Sequence, residues 1–390
     1  MTIDGSKGAD AQTRIRLGMV GGGQGAFIGA VHRIAARMDD AYELVAGALS
    51  SDPDRAKASG AQLGLDPRRS YADYAEMAKR ERRLKDGIEA VSIVTPNHMH
   101  FPVARTFVKA GVHVICDKPL VTTSREAREL ARLVEKAGTI FAVTYNYSGY
   151  PMVRQAREMV ASGDLGAIRV VQVEYSQDWL TESLEATGQK QAAWRTDPAK
   201  SGAGGAVGDI GTHAYQLACF VSGLTPSELC ADLSSFGAGR VLDDNVHVLL
   251  RFEGGARGML WASQVAPGNE NALKLRVYGE RGGLEWCQEE PNRLWYTPFG
   301  EPKRLITRGG SGSAPVAARV TRVPPGHPEG YLEGFANIYS EVARAIRARR
   351  TGAAADPDVT FPTITDGAAG VAFIEAAVTS SQRGGRWVGL

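Results

Sequence analysis

Three groups of residues in this sequence have the types and spacing of a redox site. The first is Gly21-Gly22-Gly23-Gln24-Gly25-Ala26, directly after the apolar run 15–20. It fits G-x-G-x-x-A through Gly21, Gly23 and Ala26: a tight turn, a close backbone approach to a pyrophosphate, and a small residue where helix meets strand. The helix that follows would face the phosphates with its partial positive charge. Gln24 and Gly25 complete this phosphate turn. The second group is Asp117-Lys118-Pro119, at the end of another apolar run. A lysine at the carboxyl end of a parallel strand stands where doubly wound sheets bind ligands, and its ammonium can stabilise a developing alkoxide. The third is Asp209 and His213, four residues apart and therefore on one face of a helix. Oxidising a secondary alcohol by hydride transfer requires removal of the hydroxyl proton, a task suited to an imidazole. The Asp209 carboxylate can orient that ring, stabilise its protonated form, or hydrogen-bond a sugar hydroxyl directly.

These groups need a scaffold, and the hydrophobic pattern supplies one. Apolar runs at 15–20, 42–49, 88–95, 112–116 and 139–145 alternate with helical patterns at 26–38, 99–110 and 124–137. Asp52-Pro53 opens a further helix, and Ser124 is the expected N-cap of the last. Apolar strands separated by helices predict a parallel sheet covered on both faces, a Rossmann-type doubly wound domain over 15–147. Beyond a helix near 151–162, longer alternating strands are expected at 168–178, 227–236, 244–253, 256–266 and 272–279. Along 246–252, Val246, Val248, Leu250 and Phe252 fall on one face, and Gly254-Gly255 reads as a hairpin turn. An α/β domain with an open, largely antiparallel sheet is therefore expected over 148–390. Its Gly/Pro/Ser-rich stretch 300–328 reads as a loop, and helices near 329–349 and 366–381 close the chain.

Composition narrows the partners. With 45 Lys+Arg against 43 Asp+Glu the formal charge is +2, which offers no footprint for nucleic acid or an anionic membrane. No apolar stretch approaches the roughly 20 residues of a membrane span. Cys116, Cys219, Cys230 and Cys287 lie far apart, which reads as free thiols in a reducing, cytoplasmic compartment. Residues 1–14 are polar and read as a flexible extension rather than a secretion signal. Metal is disfavoured, because Asp209 and His213 have no second dense ligand cluster beside them and metal sites want three or four ligands. After the second strand the residue expected to read the ribose 2′-hydroxyl is Ser50, while Asp52 is committed to capping. NAD or dual use is expected ahead of strict NADP. An exposed apolar face on the second sheet predicts a homo-oligomer.

Cys116-Asp117-Lys118-Pro119, Thr95-Pro96 and Gly204-Gly205-Ala206-Val207-Gly208-Asp209-Ile210-Gly211-Thr212-His213, taken in order, resemble the Gfo/Idh/MocA oxidoreductase family. Its hallmark Glu-Lys-Pro stands here with Asp117 in place of glutamate. The resemblance implies the same roles for Lys118, Asp209 and His213. It also implies cofactor contacts at Thr95, Pro96, Asn97, His100 and Asp117, and association as a dimer or tetramer through the second sheet. Asn146 resembles a segment that enters the site, and His327 one that reaches back to it. Trp194-Arg195 could set an aromatic face and a guanidinium over a sugar ring. The expected activity is NAD(P)-dependent hydride transfer at a ring hydroxyl or keto group of a sugar, polyol or cyclitol. Two other readings use the same chain: a redox-neutral NAD-dependent glycosidase, and a non-catalytic dinucleotide sensor.

Overall fold

The computed structural model describes residues 13–390, so the expected extension lies, except for its last two residues, outside the described residues. The first layer is a parallel sheet of β1 (Ile15–Gly21), β2 (Tyr42–Ala48), β3 (Ala90–Val94), β4 (His113–Cys116) and β5 (Phe141–Val143), in the order β2-β1-β3-β4-β5. Its crossovers run through α1 (Phe27–Met38), α2 (Pro53–Gln62), α3 (Tyr74–Glu81), α4 (His100–Lys109) and α5 (Ser124–Ala137). Asp52 caps α2 as expected, its carboxylate accepting from Arg55 N at 2.8 Å. The cap of α5 is Thr123 rather than Ser124: the threonine oxygen accepts from Glu126 N, and Ser124 N instead donates to Glu375. Either hydroxyl could cap in principle; the extended backbone at Thr123 selects it.

The second layer starts with α6 (Pro151–Ala161) and builds a nine-stranded sheet. Its strands are β6 (Ile168–Ser176), β7 (Pro226–Ser234), β8 (Asn245–Phe252), β9 (Arg257–Ser263), β10 (Ala272–Gly279), β11 (Gly282–Cys287), β12 (Arg293–Pro298), β13 (Arg304–Thr307) and β14 (Val388–Gly389). The order is β13-β12-β11-β10-β6-β9-β8-β7-β14, antiparallel except for the parallel pair β6–β9. Between β6 and β7 run the short helices α7 (Lys190–Arg195) and α8 (Pro198–Ser201), then a π-helical turn at Val207–Gly211 leading into α9 (Thr212–Ser222). After β13 come α10 (Pro315–Ala318), α11 (Tyr331–Thr351) and α12 (Ile364–Gln382). Val246, Val248, Leu250 and Phe252 are buried under α6, α9 and α12, and Gly254 turns with φ +79°. The stretch 300–328 is not simply loop, since it carries β13 and α10; β11 and β12 were also not foreseen. These strands are only four to six residues long, too short to show a clear alternation. Among the described residues no helix is long and apolar enough to cross a membrane.

One helix changes the domain layout read from the sequence. Helix α11 leaves the second layer and packs on the first, where Phe335, Ile338, Tyr339 and Val342 bury against Ile15, Leu17, Val31 and Ile115. It thus shares with α1 the sheet face opposite α3, α4 and α5. The chain behind it adds backbone contacts, with Val143 N donating to Pro362 O at 2.9 Å. Helix α11 is also pinned to α6 by the bidentate pair Arg154–Glu341, both contacts 3.0 Å and both side chains almost wholly buried. Removing one partner strands the other charge away from water. Glu341→Ala is therefore expected to destabilise the protein by about 3–5 kcal/mol, read as a lower denaturant midpoint; an unchanged midpoint would contradict this role.

Candidate active site

A cavity of about 1000 Å³ runs between the two layers from the glycine turn to the π turn. From the first layer it is lined by Gly21, Gly23, Gln24, Ala26, Ser50, Thr95, Pro96, Asn97, Asp117 and Lys118. Asn146 follows β5 on the same side, and Trp194, Arg195, Asp209 and His213 line it from the second. The open end lies beyond β1 and β3, where the strand order reverses, the place where doubly wound sheets bind ligands. Here a Cβ on Gly23 would meet Leu49 O at 2.5 Å, while Gly25, at φ +76°, has open space around it.

At the deep end Lys118, on the turn after β4, meets Asp209 from the π turn. Lys118 Nζ donates to Asp209 Oδ1 at 2.9 Å and also to the Asp209 backbone carbonyl. The other carboxylate oxygen accepts from Arg195 Nε at 3.1 Å and Gln264 Nε2 at 2.9 Å. Burial opposes ionisation of Asp209, but the Lys118 ammonium and the Arg195 guanidinium outweigh it and hold the carboxyl well below the usual range. Arg195 in turn lies over the Trp194 ring, 4.3 Å from its centroid. The π turn brings both Asp209 carboxylate oxygens and the Asp209 backbone carbonyl to this cluster.

His213 stands on the first turn of α9 in an aromatic box, edge-on to Tyr145, Tyr147 and Tyr175 with ring centroids 5.7, 4.9 and 6.3 Å away. Burial first, and then the Lys118 charge, push its pKa well below the ordinary histidine value. Of the roles open to Asp209, direct orientation of the imidazole is not the one the geometry takes, since both oxygens are engaged by Lys118, Arg195 and Gln264. Asp117 lines the cavity beside Lys118. Burial disfavours its charge, yet His32 and a hydrogen bond from Thr144 bring its pKa down to about 2.

Among the described residues three buried polar atoms on the cavity wall have no hydrogen-bond partner: Thr95 Oγ1, Asn146 Nδ2 and His213 Nδ1. Buried polar atoms are rarely left unpaired, and a polar ligand group would pair Thr95 Oγ1 and Asn146 Nδ2. With the glycine cradle the wall fits a dinucleotide, whose phosphates the Gly21–Ala26 turn would hold. At the β2 end the wall consists of Ser50, Ser51 and Arg55, and Ser50 Oγ accepts from Asp52 N at 3.1 Å.

Two expected contacts are not there. His100 is fully buried, its ring nitrogens 2.8 and 2.9 Å from the carbonyls of Pro119 and Thr95, so it braces the two turns from behind and does not reach the cavity. His327 lies exposed on a separate groove with Arg308 and Glu329. The segment does return to the site, but through Tyr331 and Phe335 at the start of α11. Asn97 lines the cavity while its side chain donates to Ser201 O, joining the two layers. Tyr147, Tyr175, Gln177, Gln191, Asn271, Gln288 and Gln264 complete the second-layer wall or its hydrogen bonds. No motif marks Asn271, Gln288 or Gln264; only strand pairing brings them here. Among the described residues no group of three or more acidic, histidine or cysteine side chains is arranged to hold a metal.

Comparison with known proteins adds family evidence. Residues 15–145 match a family model described as an oxidoreductase family with an NAD-binding Rossmann fold, and 153–285 match a GFO/IDH/MocA C-terminal domain. An uncharacterized oxidoreductase of Bacillus subtilis is 39% identical over 381 residues, 96% of each chain. Among solved structures, an oxidoreductase from Sinorhizobium meliloti is 62% identical with a TM-score of 0.88, covering 96% of this chain and 99% of its own. An inositol dehydrogenase homolog from Azotobacter vinelandii, complexed with NADH and myo-inositol, is 38% identical with a TM-score of 0.91, covering all of both chains.

The depressed basicity of His213 has a measurable consequence. The unfolded chain takes up a proton near the ordinary histidine value of about 6.5 that the folded protein refuses, so this residue withdraws stability as pH falls below that value. In an NMR titration of the imidazoles, His213 is expected to stay neutral where a free histidine protonates. Titration of His213 near 6.5 would refute the burial argument.

Proposed function

Because the chain belongs to the Gfo/Idh/MocA oxidoreductase family and carries its NAD-binding domain, we propose that it transfers a hydride between nicotinamide and a ring hydroxyl or keto group of a sugar, polyol or cyclitol. The observation that carries this is the Lys118–Asp209 pair beside a neutral His213, on a cavity wall with unpaired Thr95, Asn146 and His213 atoms. The nicotinamide, when bound, supplies the hydride acceptor or donor. Lys118 uses two of its three N–H groups on Asp209, which leaves one to donate to the reacting oxygen. His213 Nδ1 is buried without a partner, so Nε2 is the atom assigned to take the hydroxyl proton during oxidation. The negative charges of Asp209 and Asp117 both favour the protonated ring and offset part of the burial penalty.

The wall opposite Lys118 supports an uncharged, hydroxyl-rich substrate. Tyr175 OH donates to Asn271 Oδ1, Gln177 Nε2 donates to the same oxygen, and Asn271 Nδ2 donates to Gln288, so this wall offers neutral donors and acceptors. The relative from Azotobacter vinelandii, complexed with myo-inositol, favours the same class. For the cofactor we infer NAD or dual use: Ser50 and Ser51 neither repel a 2′-phosphate nor grip a diol, and Arg55 stands close, its Nη2 3.4 Å from Gln24 O. A dimer or tetramer through the second sheet is part of the same reading. Its outer face exposes Leu249, Met259 and Tyr278 among charged residues such as Arg276 and Glu174, so the contact would be mixed rather than purely apolar.

A dehydrogenase screen of sugars, cyclitols and glycosides with NAD and NADP tests the assignment. On the substrate it identifies, Lys118→Ala and His213→Ala are each expected to lower kcat by about 10²–10⁴-fold. Near wild-type turnover in both variants would overturn it, and steady aglycone release without NADH accumulation would favour the glycosidase instead. Sedimentation at micromolar concentration is expected to show a species larger than one chain; a monomer alone would reject the oligomer.

A further inference from the structure

A buried row of hydrogen bonds begins at Asp117 on the cavity wall and runs away from the site into the first layer. Asp117 Oδ1 accepts from Thr144 Oγ1 at 2.6 Å and lies 3.1 Å from His32 Nε2. His32 Nδ1 lies 2.8 Å from the Tyr339 hydroxyl, and that hydroxyl meets Ser92 Oγ. The members come from four elements: Asp117 from the turn after β4, His32 from α1, Tyr339 from α11 and Ser92 from β3. His32 and Ser92 are fully buried and Tyr339 is 1% exposed, while Asp117 keeps one edge on the cavity. Tyr339 is itself fixed, edge-on to Tyr42, whose hydroxyl donates to the Tyr339 carbonyl at 2.9 Å.

The direction of donation follows from the end of the row. An ionised carboxylate only accepts, so Nε2 of His32 must carry the proton in that contact. With a neutral ring, Nδ1 then accepts from the Tyr339 hydroxyl, whose oxygen accepts from Ser92. Every link is satisfied in one sense, and every donor points toward Asp117. Two donors therefore share a single carboxylate oxygen and fix the side chain's rotamer. The backbone on either side is tied too, Asp117 N to Ile93 O and Thr144 N to Cys116 O. The next residue along is Lys118.

We propose that His32 is a positioning residue that acts through Asp117: its Nε2–H holds the carboxylate against the cavity wall and so fixes the turn that aims Lys118 at Asp209. Tyr339 holds the other side of the ring from α11, the helix whose first turns also line the cavity.

The kinetic arm of the test rests on the dehydrogenase reading; the spectroscopic arm does not. In the wild-type protein with ¹⁵N-labelled histidine, long-range NMR correlations are expected to show His32 protonated at Nε2. A ring protonated only at Nδ1 would overturn the proposal, whatever the enzyme does. His32→Ala is expected to lower kcat about ten- to a hundredfold, the worth of one hydrogen bond to a charged group, with KM changed by less than about threefold. His32→Asn keeps an N–H donor and is expected to recover most of that loss. Equal losses in both variants, tracking a common drop in melting temperature, would make His32 merely structural and refute the assignment. Should His32→Ala fail to fold, His32→Asn and the tautomer decide. If Lys118→Ala kept full turnover while His32 showed the expected tautomer, the functional reading would fail and the hydrogen-bond assignment would stand.

Discussion

The contact between Lys118 and Asp209 is the constraint around which the rest of the molecule is arranged. Each residue belongs to a different layer, and neither charge could sit in so enclosed a place alone. Arg195 and Gln264 fill the remaining valences of the carboxylate, and the π turn turns a backbone carbonyl toward the ammonium. The cavity exists because two sheets must stand close enough for these 2.9 Å contacts yet far enough apart to admit a cofactor. Asn97, bonded across the gap to Ser201 O, and α11, packed on one layer while its first turn lines the space between, keep that separation.

What could be read beforehand from the sequence was whatever chemistry forces into short range. A phosphate turn needs glycines next to one another, and a proton-transfer pair on one helix needs a fixed spacing; both can be seen without knowing the fold. Five parallel strands showed as apolar runs because both of their faces are buried. What could not be read was whatever depends on which strand lies beside which. Gln264, Asn271 and Gln288 are ordinary polar residues until the pairing of β9, β6, β10 and β11 brings their strand ends together. His327 and His100 failed for the opposite reason, since each is a histidine of a suggestive type whose surroundings take it elsewhere. The Ser124 error has a smaller cause: adjacent hydroxyls differ in their backbone angles, which no residue type reveals.

The charges of the site balance locally. Lys118 and Arg195 both pair with Asp209, while Asp117 is held by His32 and Thr144. His213 is then free to stay neutral. The tyrosines around it are likewise held in their neutral forms by burial. Around the charged cluster the wall is then made of neutral hydroxyl and amide groups.

The return of α11 to the first sheet also matters while the chain is being made. When residue 147 leaves the ribosome the parallel sheet has all five strands, but one of its faces still lacks the helix that covers it. That helix ends at Thr351, some 200 residues later, and at roughly 5–20 residues per second this is a wait of about 10–40 seconds. Throughout that interval Ile15, Leu17 and Ile115 have only α1 above them. The nascent nucleotide-binding half thus carries an apolar face that is covered only when α11 has been made.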